Sequence, residues 1–249
     1  MGLFGIFGSK EEREKSALRK LAKKVTEKYG PPENRQKALD QLGNMGSPDA
    51  LSTLCLRFTV NAEPGITDQE EKETTRRMLV DARERAVAPV SAFVREQEDG
   101  VAWGLRVLAE IATDEKVLEV VVAELVHLGK TYTRDPEKKL VLLTWLLEHH
   151  AGAKSADVEA ALLPLLEDFS DDVRITATRA LVAVSHGEKA RDALIQLLLR
   201  DADNARVRGE VLEALAALGA DVKGFRPSVE ALLVEPFHLD REGRVKKRG

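Results

Sequence analysis

Apolar residues recur every three or four positions through most of the chain, in runs separated by glycine, proline and polar pairs. This spacing is the stripe of an amphipathic α-helix; the strict alternation that marks a half-buried strand is missing. Ser9-Lys10-Glu11-Glu12 reads as a capping box opening a helix to about Tyr29, with Leu18, Leu21, Ala22 and Val25 as its narrow stripe, and Gly30-Pro31-Pro32 stops it. From Glu33 the stripes come in pairs. Arg35 to Asn44 carries Ala38, Leu39 and Leu42, and a second helix capped by Ser47-Pro48 runs through Phe58. Thr67-Asp68-Gln69-Glu70 is read as another capping box, starting a long charged helix over 67 to 86 whose thin apolar face is Met78, Leu79 and Ala82. Pro89 marks the start of the next helix, since an interior proline costs about 3 kcal/mol.

The later pairs are predicted over Gly100 to Ala112 with Asp114 to Leu128, then from Asp135-Pro136 to about His149 with a second helix from about Asp157 that Pro164 kinks. Two more span Asp171 to Asp201 and Asn204 to about Leu233. Within them the pattern repeats in register: Val173-Arg174 leading to Ala180-Leu181 returns 34 positions later as Val207-Arg208 leading to Ala214-Leu215. Asp49-Ala50-Leu51 with Leu54 is echoed by Asp192-Ala193-Leu194 with Leu197. A fixed period between about 20 and 50 residues is the signature of a solenoid, in which each unit buries its apolar face only against its neighbours. The helix at 10–30 is then the N-terminal cap and 31–235 the array, with an apolar segment at 1–9 and a polar, basic tail at 236–249 expected to be partly disordered.

Charge sharpens this picture. The net charge is −4, but residues 10–28 and 240–249 together carry +7, so the rest of the chain carries −11. An acidic body argues against non-specific wrapping of nucleic acid, which needs several Lys and Arg contacts to phosphate. The single cysteine, Cys55, falls in an apolar helical stretch, as a buried thiol would, and fits a reducing, cytoplasmic setting. No run of about 18 uncharged apolar residues predicts a membrane-crossing helix.

Asp171-Asp172-Val173-Arg174 followed by Ala177, Ala180-Leu181 and Val184 resembles the first helix of a HEAT repeat, and Gly187 with Ala193-Leu194 and Leu197-Leu198 resembles its turn and second helix. The resemblance is closest over 165–219, holds over 33–56 and loosens between them. It implies an all-α, right-handed αα superhelix of about six helical pairs, armadillo-like, and a hydrogen-bonded ladder between repeats at Asp172, Arg174 and Arg208. It names an architecture and leaves activity open.

The candidate chemistry is sparse. His127, His149, His150, His186 and His238 form no metal-ligand pair at helical spacing, and no His-Glu step of the kind used by the HEAT-like deoxyhypusine hydroxylases occurs. His149 and His150 are expected at an exposed helix end. Trp103 and Trp145 invite comparison with the HEAT-like alkylpurine DNA glycosylases, but both sit at core spacing. HEAT-like bilin lyases find no supporting residue. No phosphate loop or nucleophile motif is present, so neither cofactor nor metal is expected and a non-catalytic adaptor or scaffold is. By the same resemblance the second helices line the concave side, offering Glu119, Glu124, Glu159 and Glu167. Glu119, Glu159, Asp192 and Gln196 are the candidate contacts for a protein partner, expected to be a basic segment or helix. Two alternatives stand beside it: a HEAT-like DNA-binding protein or glycosylase, and a membrane-peripheral scaffold using residues 1–8 with Lys20, Lys23, Lys24 and Lys28 behind them.

Overall fold

A computed structural model describes residues 4–150, 155–184 and 188–248, without the side chains of 4–9 and 188. The chain is all-α apart from one short hairpin, its helices paired as in a HEAT-like solenoid, and it divides into two compact units, Met1–Val120 and Val121–Gly249. Among the described residues no helix is long and apolar enough to cross a membrane.

In the first unit α1 (Phe4–Val25) packs on α2 (Pro32–Met45) and α3 (Pro48–Cys55), burying Leu18, Leu21 and Val25. It begins before Ser9, so that position lies within the helix and not at its start. Ser47 does cap α3, its hydroxyl accepting from the Ala50 N–H at 3.3 Å. A 3₁₀ turn, Leu56–Thr59, comes next. Helix α4 (Gly65–Asp81) starts ahead of the expected capping box and ends before 86. The chain reverses at Arg83, whose φ of 51° lies in the left-handed region that favours glycine. Helix α5 (Glu84–Glu96) therefore holds Pro89 in its interior, as its sixth residue, and not at its start as expected, so one main-chain hydrogen bond is given up there while the ring is buried. Helix α6 (Val101–Ile111) packs on α5, with Gly104 directly against Val94 and Phe93: a Cβ there would meet Val94 at 2.8 Å. The unit boundary falls within α7 (Asp114–Leu128).

The second unit continues with α8 (Glu137–His150) and α9 (Ala156–Leu162), and Pro164 opens a 3₁₀ turn, Leu163–Glu167. Helices α10 (Asp171–Val184), α11 (Glu188–Arg200) and α12 (Ala205–Leu218) come after it. First helices stack on first helices, α8 on α10 and α10 on α12, burying Leu142, Leu146, Val173, Ala177, Leu181, Val207, Val211 and Leu215. The final pair departs from expectation. Its second helix is only α13 (Arg226–Glu230), because Gly219 caps α12 with φ 60° and Gly224 and Pro227 interrupt the segment beyond that cap. The tail expected to be partly disordered forms a hairpin of β1 (Phe237–Leu239) and β2 (Val245–Lys247), which packs Val245 against α12.

Candidate functional site

The unit that matches the repeat pattern most closely builds its polar contacts at one recurring place. The basic residue near the start of each first helix turns back onto the loop before it. Arg174 donates to the Asp168 carbonyl at 2.6 Å, Arg208 to the Ala202 carbonyl at 2.7 Å, and Lys139 to the Thr131 carbonyl at 3.4 Å. Two of them also reach an aspartate in the loop before the next first helix: Lys139 Nζ meets Asp168 Oδ2 at 2.6 Å, and Arg174 Nε lies 2.8 Å from Asp201 Oδ2 as an ion pair outside hydrogen-bonding angles. Arg208 ends the series with its Nε buried and without an acceptor.

The expected ladder is thus present but threaded differently. Asp172 is met across the repeat by Arg206 at 2.6 Å, not by Arg208, and Asp171 accepts from Asn204 at 2.7 Å. That hydrogen bond, with Arg174 beside it, holds the Asp171 carboxyl below the ordinary carboxylate range against the opposing effect of burial. The sequence signal for the missed rungs was the pair Asp168 and Asp201, spaced almost as Arg174 and Arg208 are.

In the first unit the equivalent basic position is Arg35, which donates to the carbonyls of Gly30 (2.7 Å) and Glu27 (3.1 Å). Its Nε reaches Glu71 Oε2 at 2.8 Å, and Arg57 Nε reaches the same oxygen at 2.9 Å. Arg57 also bonds Asp68 at 2.5 Å, and Lys72 pairs with Asp68 at 2.8 Å and donates to Asn61 at 2.7 Å. All five charged side chains are at most 4% exposed. Asp68, an inner position of the expected Thr67–Glu70 capping box, accepts from the Ala62 N–H at 2.8 Å. Burial alone would raise the Asp68 pKa, but the bonds from Ala62, Lys72 and Arg57 outweigh it and hold the carboxyl below its ordinary value.

The sequence-predicted contact residues divide between the units, Glu119 in the first and the other three in the second. Glu119 is exposed on α7 and pairs with Lys116 at 2.9 Å. Glu159 is half-buried on α9. Asp192 and Gln196 are exposed one turn apart on α11, and Asp192 lies 3.1 Å from Arg191. Glu124, expected on the open side, is instead buried against Lys138 at 2.8 Å.

The two tryptophans are engaged by neighbouring side chains. Trp103 stacks on Phe58 at 5.5 Å and carries Arg106 over its ring, and Trp145 is buried. His149 lies exposed in the last turn of α8, as expected, and there stacks on Trp145 at 4.7 Å and bonds its carbonyl at 2.8 Å. His186 lies outside the described residues, among which no group of three His, Cys, Asp or Glu is placed to hold a metal ion. Cys55 is buried, donates to the Leu51 carbonyl, and has its pKa pushed up to about 12 by burial. Residues 1–3 also lie outside the described residues.

Open clefts among the described residues include two. One, of about 770 Å³, has Val80, Val87 and Ile111 in its walls beside the strained Arg83. The other, of about 420 Å³, lies where the turns before α8 and α10 meet, with Tyr132 and Phe169 at 6.2 Å and 73° to one another.

Compared with known families, residues 158–247 match the model for HEAT repeats, the stretch that contains the regular ladder. No curated protein and no solved structure matches the chain.

Proposed function

We propose that this HEAT-repeat chain is a non-catalytic, cytoplasmic adaptor that binds a basic segment or helix of another protein through acidic and polar residues on the second helices of each unit. The observation that carries the reading is a division of labour between helices. Cross-repeat ion pairs between first helices, Arg76 with Glu110, Arg179 with Glu210 and Arg206 with Asp172, occupy much of the charge those helices display. Asp192 and Gln196 on α11 and Glu119 on α7 stand exposed on second helices, where Asp192 and Glu119 pair with their own helix neighbours Arg191 and Lys116. Exposed ion pairs of that kind are worth at most about 1 kcal/mol, so an incoming cation displaces them at little cost. Protein interaction is also the common use of HEAT repeats.

The test is fluorescence anisotropy with a labelled, lysine-rich amphipathic peptide of about 20 residues, the length of a long globular helix. Charge reversal by Glu119→Lys, Glu159→Lys and Asp192→Lys is expected to weaken binding and flatten its salt dependence. Unchanged affinity and an unchanged salt slope would sink the second-helix face. The nucleic-acid alternative gains nothing from Trp103 or Trp145, whose rings are already committed within the fold.

A further inference from the structure

Helix α1 carries charge of one sign on the side turned away from the fold. Its packed stripe is Leu18, Leu21 and Val25. At 100° per residue the opposite side holds Arg13, Arg19, Lys20, Lys23 and Lys24, with Glu12 the one acid among them. All five cations are exposed, and none has an ion pair among the described residues; the ion pair on α1 is Lys15 with Glu11 at 2.7 Å. From Lys10 to Ala17 every residue is exposed, so α1 runs about two turns ahead of Leu18 without burying a side chain there. Later helices differ: Arg76, Arg179 and Arg206 each reach a carboxylate across the repeat. A capping helix needs a polar outer face, which interspersed charges of both signs supply; a face of one sign steers a partner of the opposite sign.

The chain also contains the complement. From Ser155 to Val173 there are six carboxylates and no lysine or arginine. Three are engaged within the fold, Asp168 by Lys139, Asp171 by Arg174 and Asp172 by Arg206. Asp157, in the first turn of α9, and Glu167, in the 3₁₀ turn after it, are exposed and have no ion pair among the described residues. Helix α9 is one of the second helices to which the adaptor reading assigns a basic helix. Helix α1 is such a helix, 22 residues long, rich in lysine and apolar along one stripe. An extended polyanion, nucleic acid or an anionic membrane, would be repelled by the −11 carried between the basic ends, whereas α9 offers a bounded acidic patch.

We infer that the basic face of α1 in one copy docks on the acidic α9 patch of a second copy, so that the chain is its own partner. The inference rests on the adaptor reading for a second-helix surface that receives a basic helix, and it names the helix received. Each copy offers both surfaces, so the contact can be removed from either side and restored by mixing.

The experiment is sedimentation velocity of the full chain at low salt and at about 1 M NaCl, where the Debye length falls to about 3 Å. Wild type is expected to sediment above the mass of one chain at low salt and as the single chain at high salt. The α1 variant Arg13→Glu, Arg19→Glu, Lys20→Glu and, separately, the α9 variant Asp157→Lys, Glu167→Lys should each weaken association about tenfold or more. An equimolar mixture of the two should regain association, because the α9 variant keeps its basic α1 and the α1 variant keeps its acidic patch. All five positions are exposed, circular dichroism and urea midpoints confirm that the variants fold, and the salt series on wild type needs no variant. A wild type that stays single at low salt and about 100 μM overturns the inference. So do association unchanged by salt, association retained by both variants, and a mixture that stays single. Co-sedimentation of single wild-type chains with phosphatidylserine vesicles, lost in the α1 variant, would give α1 to a lipid surface and equally overturn it. Binding of the lysine-rich peptide by a chain that does not self-associate leaves the adaptor reading standing without this inference. Self-association without peptide binding would defeat the reading and leave the α1 contact.

Discussion

Arg35 in the first unit and Arg174 in the second do the same local job, turning back from the start of a paired helix to hold the carbonyls of the loop before it. Their surroundings differ. Around Arg35 three cations and two carboxylates are sunk almost completely, with Arg35 Nη2 and Glu71 Oε1 left without partners. Around Arg174 the aspartates sit at the edge of the stack, Asp201 at 12% exposed and Asp171 at 40%. Buried ion clusters gain little over apolar packing while intact but are costly to break, whereas partly solvated pairs matter less either way. One repeat solution therefore stands in two electrostatic settings, and mutation should separate them.

The largest effect is expected at Glu71, whose Oε2 serves both Arg35 and Arg57. Glu71→Ala leaves two buried guanidinium groups short of a carboxylate and should lower stability by about 3–5 kcal/mol in urea unfolding. A loss below about 1 kcal/mol would show that water reaches the cluster. The same cluster sets an acid limit. Asp68 has a folded pKa below its unfolded value of about 3.9, so its contribution is fully present above that pH and disappears as pH falls through the folded value. Titration of the urea midpoint should therefore fall below about pH 4 in wild type. In Asp68→Asn the fall should be shallower, and equal slopes would mean that Asp68 does not set the limit.

Arg174→Ala should cost about 1–2 kcal/mol, since its carbonyl and aspartate partners remain within reach of solvent. Arg206→Ala, at a pair 66% and 58% exposed, should cost less than about 0.5 kcal/mol. If the two losses were equal, the distinction between inner and outer rungs would be lost. One change is expected to be favourable: Arg83→Gly relieves a left-handed backbone and should stabilise the chain by a few tenths of a kcal/mol, measured by the same unfolding. Destabilisation would mean that the Arg83 side chain holds the turn.

Much of this contrast could not be read from the sequence. The pairing of helices, the Ser47 cap and the α7 limits were legible from spacing and cap chemistry, because those signals are local. The buried cluster was not, because Asp68, Glu71, Lys72 and Thr75 are charged or polar and a hydrophobic pattern assigns such residues to solvent. Their spacing runs on into Leu79 at helical intervals, which was the available hint. Their partners Arg35 and Arg57 lie 36 and 14 residues from Glu71, beyond any local rule. The hairpin escaped because its strands are three residues long and rich in charge, too short for alternation to show. At the candidate surface, Glu124 was misplaced since a lone glutamate on a helix gives no sign that Lys138 will cover it.

The adaptor reading is tested most directly by affinity capture from the native cell lysate with two baits, wild type and the Glu119→Lys, Glu159→Lys, Asp192→Lys variant, with recovered proteins quantified by mass spectrometry. The predicted result is a protein carrying a basic segment that is retained by wild type, released by salt and lost from the charge-reversed bait. Equal recovery of the same proteins on wild-type and charge-reversed baits would contradict it.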